Sequence, residues 1–202
     1  MAVPGRLNGL MEEDDDNDEG EEWVDLSRPQ ELSPELVDIA TAAESGDVEG
    51  LRAALENWNG SVDDPVEDGD SALHLVCLYG HLPCVQLLLE RRANLEVKDE
   101  DGAIPLHDAC AGGFTEIVQL LVNSAGNSDA VKRMLNTVDA EGDTPLHHAA
   151  RGEHLDVVRY LLSVGASHDK INIFGKIPAE LSDPGTEVRR VLEDAANNPA
   201  VC

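Results

Sequence analysis

The amino-acid sequence predicts an all-α fold in which helix-turn-helix units stack into a solenoid. A short phrase that ends in histidine, Gly69–His74, returns 33 residues later as Gly102–His107 and 40 residues after that as Gly142–His147. An apolar cluster follows each copy, so every unit supplies two helix-forming segments. Aromatic residues make up only 3% of a chain that is 42% hydrophobic, so alanine, leucine and valine must build the core, which favours helices over strands.

The recurring phrase predicts where the first helix of each unit begins. Ser71 and Thr144 can cap a helix N-terminus, and Pro145 suits the first helical position because no backbone N–H is needed there. Ile104 and Ile177 stand at the capping position of their own units. We therefore expect those two helices to lack a side-chain cap, a loss of about 1 kcal/mol each.

Each first helix is expected to turn back into a second helix through a residue with positive φ. Gly80 and Gly113 can adopt this conformation without steric cost. Glu153 holds the same position in the fourth unit, so we expect the turn to be altered there. The second helices should bury the apolar clusters Val85–Leu89, Val118–Val122 and Val158–Leu162.

The units differ in length, and the turns between them are acidic. Asp99–Gly102 is typical of a tight turn. The lengthened third unit predicts an additional helical turn from about Asp129 to Leu135, capped by Ser128. A faint copy of the phrase at 39–47 marks a degenerate first unit. We divide the chain into a segment 1–31, a repeat domain 32–195 with units at approximately 32–64, 65–98, 99–138, 139–171 and 172–195, and a tail 196–202.

The tetrapeptide Thr-Pro-Leu-His at 144–147, with variants at 71–74, 104–107 and 177–180, resembles the signature of ankyrin repeats. The resemblance covers roughly residues 35–195. It implies an ankyrin-repeat solenoid of about five units, β-hairpin fingers between the units, and a concave protein-binding surface. In size, degenerate first unit and long middle unit, the chain is also similar to the small acidic ankyrin-repeat chaperones that shield ribosomal proteins.

The formal net charge of −27 restricts the classes of partner. It argues against binding to nucleic acid and to anionic lipid, and favours a basic protein partner or simply high solubility. No apolar stretch approaches the roughly 20 residues of a membrane span, and the N-terminus has no signal-like core. The four cysteines include no Cys-x-x-Cys pair, so we expect reduced thiols and a location in the cytoplasm or nucleus. We also expect the protein to be a monomer.

Residues 12–22 contain nine acids in eleven positions. We expect the whole segment 1–31 to be disordered, because it can neither bury apolar area nor relieve its self-repulsion. Trp23–Leu26 closes this segment with large apolar residues and admits two interpretations. It packs on the first helix of the repeat domain, or it is a short linear binding motif.

The sequence predicts no metal, cofactor or catalytic site. His74, Cys77, His81 and Cys84 are near enough in sequence to suggest zinc, but their repeat phase explains them as core and hydrogen-bonding residues. The acidic turns do not have the ligand spacing of a calcium loop. A Gly-x-Ser-x-Gly motif, a phosphate loop and a dinucleotide fingerprint are all missing from the sequence, so we expect a non-catalytic protein.

The predicted partner-binding surface combines acidic fingers with residues at the ends of the first helices. The fingers are either solvated turns that keep the protein soluble or, as a set, a surface complementary to a Lys/Arg-rich segment. Aromatic side chains would then anchor the partner. The candidate binding residues are Trp58, Glu67, Asp68, Asp70, Leu78, Tyr79, Asp99, Glu100, Asp101, Asp139, Glu141, Asp143 and Arg151.

Two functions follow from this surface. The first is a non-catalytic interaction module, chaperone-like or an adaptor, that binds a basic protein through its acidic concave surface. The alternative is an inhibitor or adaptor that docks a folded enzyme or signalling partner through the apolar anchors Tyr79 and Trp58. Salt separates the two, because exposed charges are screened beyond about 8 Å at physiological ionic strength.

Overall fold

The computed structural model describes residues 32–67 and 69–197. The acidic segment 1–31, and with it both interpretations of Trp23–Leu26, lies outside these residues, as do Asp68 and Cys202. Eleven helices and one two-stranded sheet occupy the described part of the chain. They are α1 Pro34–Ser45, α2 Val48–Asn57, β1 Pro65–Glu67, β2 Asp70–Ser71, α3 Ala72–Leu78, α4 Leu82–Glu90, α5 Pro105–Ala111, α6 Thr115–Ser124, α7 Ser128–Asn136, α8 Pro145–Arg151, α9 Leu155–Ser163, α10 Pro178–Leu181 and α11 Glu187–Asn197.

The helices form five pairs that stack in chain order, as the repeat period predicts. The first helices, α1, α3, α5, α8 and α10, pack side by side in an inner layer, and the second helices pack behind them. The core between the layers is continuous and aliphatic, and Cys77, Cys84 and Cys110 are buried in it as free thiols. None of the helices between residues 32 and 197 that the structure describes has the length and apolar character of a membrane span.

The histidine of the recurring phrase joins each unit to the next. In unit three, the backbone N–H of Ile104 donates to Nδ1 of His107 at 3.0 Å, and Nε2 of that ring lies 3.3 Å from the carbonyl oxygen of Asp143 in the following finger. His74 and His147 make the same pair of contacts in their own units. Burial lowers the pKa of all three imidazoles, to about 4 for His107, so the rings are neutral at pH 7.

The starts of α3, α5 and α8 therefore depend on the histidine more than on a hydroxyl cap. Ser71 and Thr144 direct their hydroxyls to the histidine Nδ1, at 3.0 and 2.9 Å. As expected, Ile104 provides no side-chain cap, but His107 still accepts its N–H and the isoleucine side chain is fully buried. At Ile177, Glu180 accepts the N–H at 3.1 Å.

The turns from inner to outer helix keep one conformation in the second, third and fourth units. Gly80 and Gly113 have φ of 78° and 73°, as predicted. The expectation of an altered turn at Glu153 is wrong: this residue has φ of 57° and keeps the left-handed conformation without being glycine. Its carboxylate accepts the backbone N–H of Asp183 in the last unit, a contact that glycine could not make.

The fingers are tighter than the resemblance implied. Among the described residues only the finger of the second unit is a β-ladder, between β1 and β2, and each finger is numbered by its unit. The later ones are turns that two backbone hydrogen bonds close in each case. These turns are joined to each other, Ala140 N–H to the Asp101 oxygen at 2.7 Å and Ile173 N–H to the Glu141 oxygen at 2.9 Å. The extra helix of the third unit is α7, which Asn127 caps rather than the predicted Ser128.

Candidate partner-binding surface

Three of the predicted acids are exposed at the finger tips, where a partner could reach them. These are Glu100 and Asp101 in the third unit and Glu141 in the fourth. The only one with an ion pair is Glu141, which lies 3.5 Å from the guanidinium of Arg151. The backbone of Glu67 lies in β1 of the preceding finger. Among the finger residues whose side chains the structure describes, two of these three exposed acids lie in the third unit.

Two other predicted acids close the turns rather than project from them. Oδ1 of Asp99 accepts the N–H of Ala103 at 2.8 Å, and Oδ1 of Asp139 accepts the N–H of Asp143 at 2.9 Å. Asn172 occupies the same phase in the fifth unit and accepts the N–H of Lys176 at 2.9 Å. An oxygen acceptor is what the turn requires at this position, so acidity alone does not explain Asp99 and Asp139.

Asp143 was predicted to contribute to the acidic surface, and the structure contradicts this. Its side chain is 0% exposed and forms an ion pair with Arg151. The side-chain amide of Asn172 also donates to it, at 2.8 Å. A buried carboxylate needs such partners to offset its lost hydration, so Asp143 and Arg151 form an internal pair and Asp143 is not available to a partner.

Asp139 likewise has a side-chain partner within its own unit. Its Oδ2 lies 2.7 Å from Nε2 of His148 on α8, and the side chain of Asp139 is only 10% exposed. Burial opposes the ionisation of this carboxyl, but the hydrogen bonds from His148 and from the Asp143 N–H outweigh it and lower the pKa of Asp139. Unit four thus holds an acid–histidine pair between finger and inner helix.

The third unit places two acids in the corresponding positions. Asp99 is in phase with Asp139, and Asp108 on α5 is in phase with His148. Oδ2 of Asp108 is buried and has no hydrogen-bond partner among the described residues. Burial, together with the charges of Asp70 and Asp99, raises the pKa of Asp108 to about 8. The unit therefore has a carboxyl that no positive group of the described chain compensates.

Asp70 extends this acidic group from the neighbouring finger. Oxygens of Asp70 and Asp99 and a ring nitrogen of His74 lie within 4.8 Å of one another. Both nitrogens of His74 already have partners, the N–H of Ser71 for Nδ1 and the carbonyl oxygen of Ala103 for Nε2. The ring is therefore engaged in joining the units.

The sequence prediction of the binding surface does not include Asp108, although the repeats contain a signal for it. Aligning the units shows what fills the slot between finger and inner helix. Unit two has Val66 and Leu75, which are both buried apolar residues, and unit four has the acid–histidine pair. In the third unit the same two positions hold Asp99 and Asp108, which are both acids and cannot form an ion pair with each other.

The apolar anchors divide between exposed and packed residues. Leu78 and Tyr79, at the end of α3, are 43% and 49% exposed. Trp58 was predicted as an anchor, but its ring packs against the core and its indole N–H donates to the carbonyl oxygen of Ser61 at 3.0 Å. It follows the end of α2, so it lies at the opposite end of the helical pairs from Tyr79, and the structure does not bring the two together.

Comparison with known protein families agrees with this architecture. A model described as ankyrin repeats (3 copies) matches residues 39–127 and 123–172. The chain belongs to the ankyrin-repeat family. Members of this family are generally protein–protein interaction modules and are typically non-catalytic. A search of curated proteins finds no match.

Proposed function

We propose that this ankyrin-repeat protein binds a Lys/Arg-rich segment of another protein, as a chaperone-like or adaptor protein of the cytoplasm or nucleus. The observation that carries the proposal is the buried, unpartnered oxygen of Asp108, which faces the charges of Asp70 and Asp99. In the next unit, Nε2 of His148 lies 2.7 Å from Oδ2 of Asp139 and supplies a hydrogen bond at the equivalent place. A cationic side chain from a partner would do the same for unit three.

A lysine ammonium or an arginine guanidinium fits this slot chemically. It would donate to Oδ2 of Asp108, and its charge would offset the repulsion among the three carboxylates. A charge-assisted hydrogen bond in a partly dehydrated slot is stronger than an exposed ion pair. The exposed tips Glu100 and Asp101 stand on the same finger and would attract the segment over longer distances.

The overall charge supports a partner that is basic along a stretch of chain. At −27, the protein repels acidic proteins and attracts basic ones at long range, which raises the association rate of a basic partner. Covering a basic segment with such a surface would keep it from non-specific contacts, which is what chaperone-like activity toward a basic protein requires.

The test is the binding of a short fluorescent peptide of alternating arginine and serine to the full chain, followed by anisotropy from about 50 mM to about 500 mM salt. We expect binding to weaken steeply with salt. Charge reversal of Glu100, Asp101 and Glu141 to lysine should abolish it. The matched control reverses three exposed acids of the outer helices, Glu56, Glu90 and Asp194. Equal losses in both triple variants would reject the surface, since general attraction would then explain the binding.

A second candidate function rests on a different observation. Leu78 and Tyr79 are adjacent, large and nearly half exposed, which suits an anchor for a folded partner. Such an interface would respond weakly to salt, because apolar contacts are not screened. A partner whose binding is lost in Tyr79→Ser but is unchanged by charge reversal of the finger tips would favour this inhibitor or adaptor function.

A further inference from the structure

The finger tips change character along the stack. The two tip residues are Glu100-Asp101 in the third unit, Ala140-Glu141 in the fourth and Ile173-Phe174 in the fifth, and the sequence has Glu67-Asp68 in the same phase of the second unit. Each pair occupies the same phase of its repeat. The N–H of Ile173 donates to the carbonyl oxygen of Glu141 at 2.9 Å, so the apolar tip directly adjoins the last acidic one.

The last tip is the most exposed apolar feature among the described residues. Ile171, Ile173 and Phe174 are 66%, 68% and 63% exposed. Isolated exposed apolar residues are ordinary, but three large ones within four positions of one turn form a patch, and patches of this kind mark interaction sites. Turn formation does not require them, because Asn172 and Gly175 supply its hydrogen bonds and its positive φ.

We propose that the bound segment has a fixed polarity, with its basic residues over the third unit and a large apolar residue over Ile173 and Phe174. This inference rests on the proposed function and specifies the partner further. Charge complementarity selects the occupant, because the neighbouring acidic tips attract a segment that is basic beside its apolar residue. They repel the acidic residues 12–22 of this chain and a second copy of it.

Repeat geometry gives the spacing. Neighbouring inner helices pack about 10 Å apart, so the third and fifth fingers are about 20 Å apart. An extended segment covers about 3.3 Å per residue. The apolar residue should therefore lie about six residues from the centre of the basic run.

The experiment compares three fluorescent peptides of equal length on the full chain. One is basic only, one adds Leu-Phe about six residues from the arginines, and one keeps Leu-Phe but replaces the arginines by serine. We expect the combined peptide to bind at least about tenfold more tightly than the basic one, the gain expected from burying one large apolar side chain. The gain should vanish in a variant with Ile173→Ser and Phe174→Ser, and persist in Val37→Ser, which removes an apolar residue that is 47% exposed on α1.

The outcomes separate this inference from the proposed function. If the basic and combined peptides bind equally, the polarity is wrong while the acidic surface stands. If none binds, the proposed function fails. If the Leu-Phe peptide without arginine binds as tightly as the combined one, the finger is an apolar site unrelated to charge and the inference is overturned. It is also overturned if the gain appears only after Trp23 and Leu26 are changed to serine, since the N-terminal segment would then cover the finger.

Discussion

Asp108→Asn should change how the stability of the protein depends on pH. A carboxyl whose pKa is about 8 in the folded state, against about 3.9 in the unfolded chain, holds a proton in the folded protein that the unfolded chain has already released. Between these values the folded state binds more protons, so Asp108 makes stability fall as pH rises. The destabilisation that Asp108 causes is absent below about pH 4 and reaches its full value above about pH 8.

The magnitude follows from the linkage. Each pH unit inside this window costs about 1.4 kcal/mol of unfolding free energy for one full proton. From pH 5 to pH 7, Asp108 should therefore cost about 2–3 kcal/mol, and asparagine, which does not titrate, should not. The buried histidines oppose this trend below about pH 6.5, because their folded pKa values are lowered. They are present in both proteins, so the difference between variant and wild type isolates Asp108.

Urea unfolding followed by circular dichroism at pH 5, 6 and 7 measures the difference. We expect the advantage of Asp108→Asn over wild type to grow by about 2–3 kcal/mol across this range. Asp101→Asn, which removes an exposed charge from the same unit, serves as the control and should show no such growth. A constant difference between Asp108→Asn and wild type would show that Asp108 ionises normally, and the slot would then need no cation.

Two further predictions concern the scaffold. Gly113→Ala should destabilise the protein by about 2 kcal/mol or more, because φ is +73° and the new Cβ would lie 2.3 Å from the ring of His154. In the control Gly126→Ala the new Cβ meets nothing within 4 Å, so this variant should lose far less stability in the same unfolding assay. Asn172→Asp keeps the oxygen that closes the turn but places a carboxylate against buried Asp143. It should therefore lower the free energy of unfolding by about 2–3 kcal/mol at pH 7, more than the surface change Asp101→Asn does. Equal costs for Asn172→Asp and Asp101→Asn would contradict the burial of Asp143.

Much of the fold could be predicted because its causes are local and repeated. Gly80 and Gly113 follow from the need for positive φ, and the proline and histidine of the phrase follow from how a helix begins. Glu153 escaped prediction because its conformation is supported from outside its own turn, by the N–H of Asp183 in the next unit. A local rule does not include that contact.

The binding surface was harder to predict because burial and pairing depend on neighbouring units. Asp99, Asp139 and Asp143 look alike in sequence, but one faces another acid, one faces a histidine and one is enclosed by an arginine and an asparagine. Counting acids in the sequence therefore overstates how many acids of the fourth unit a partner can reach, and it overlooks Asp108. Comparing what fills the same slot in successive units would have identified it.

The most direct test of the claim that Asp108 receives a cation from the partner counts the protons released on binding. Isothermal titration calorimetry of the arginine–serine peptide at pH 7, in two buffers of different ionisation enthalpy, measures how many protons the full chain releases on binding. If a partner cation ionises Asp108, the wild type should release about 0.9 proton per peptide, the fraction held by a group of pKa about 8. Asp108→Asn should release almost none and bind more weakly. Tight binding by the wild type without proton release would contradict the claim that Asp108 receives the cation.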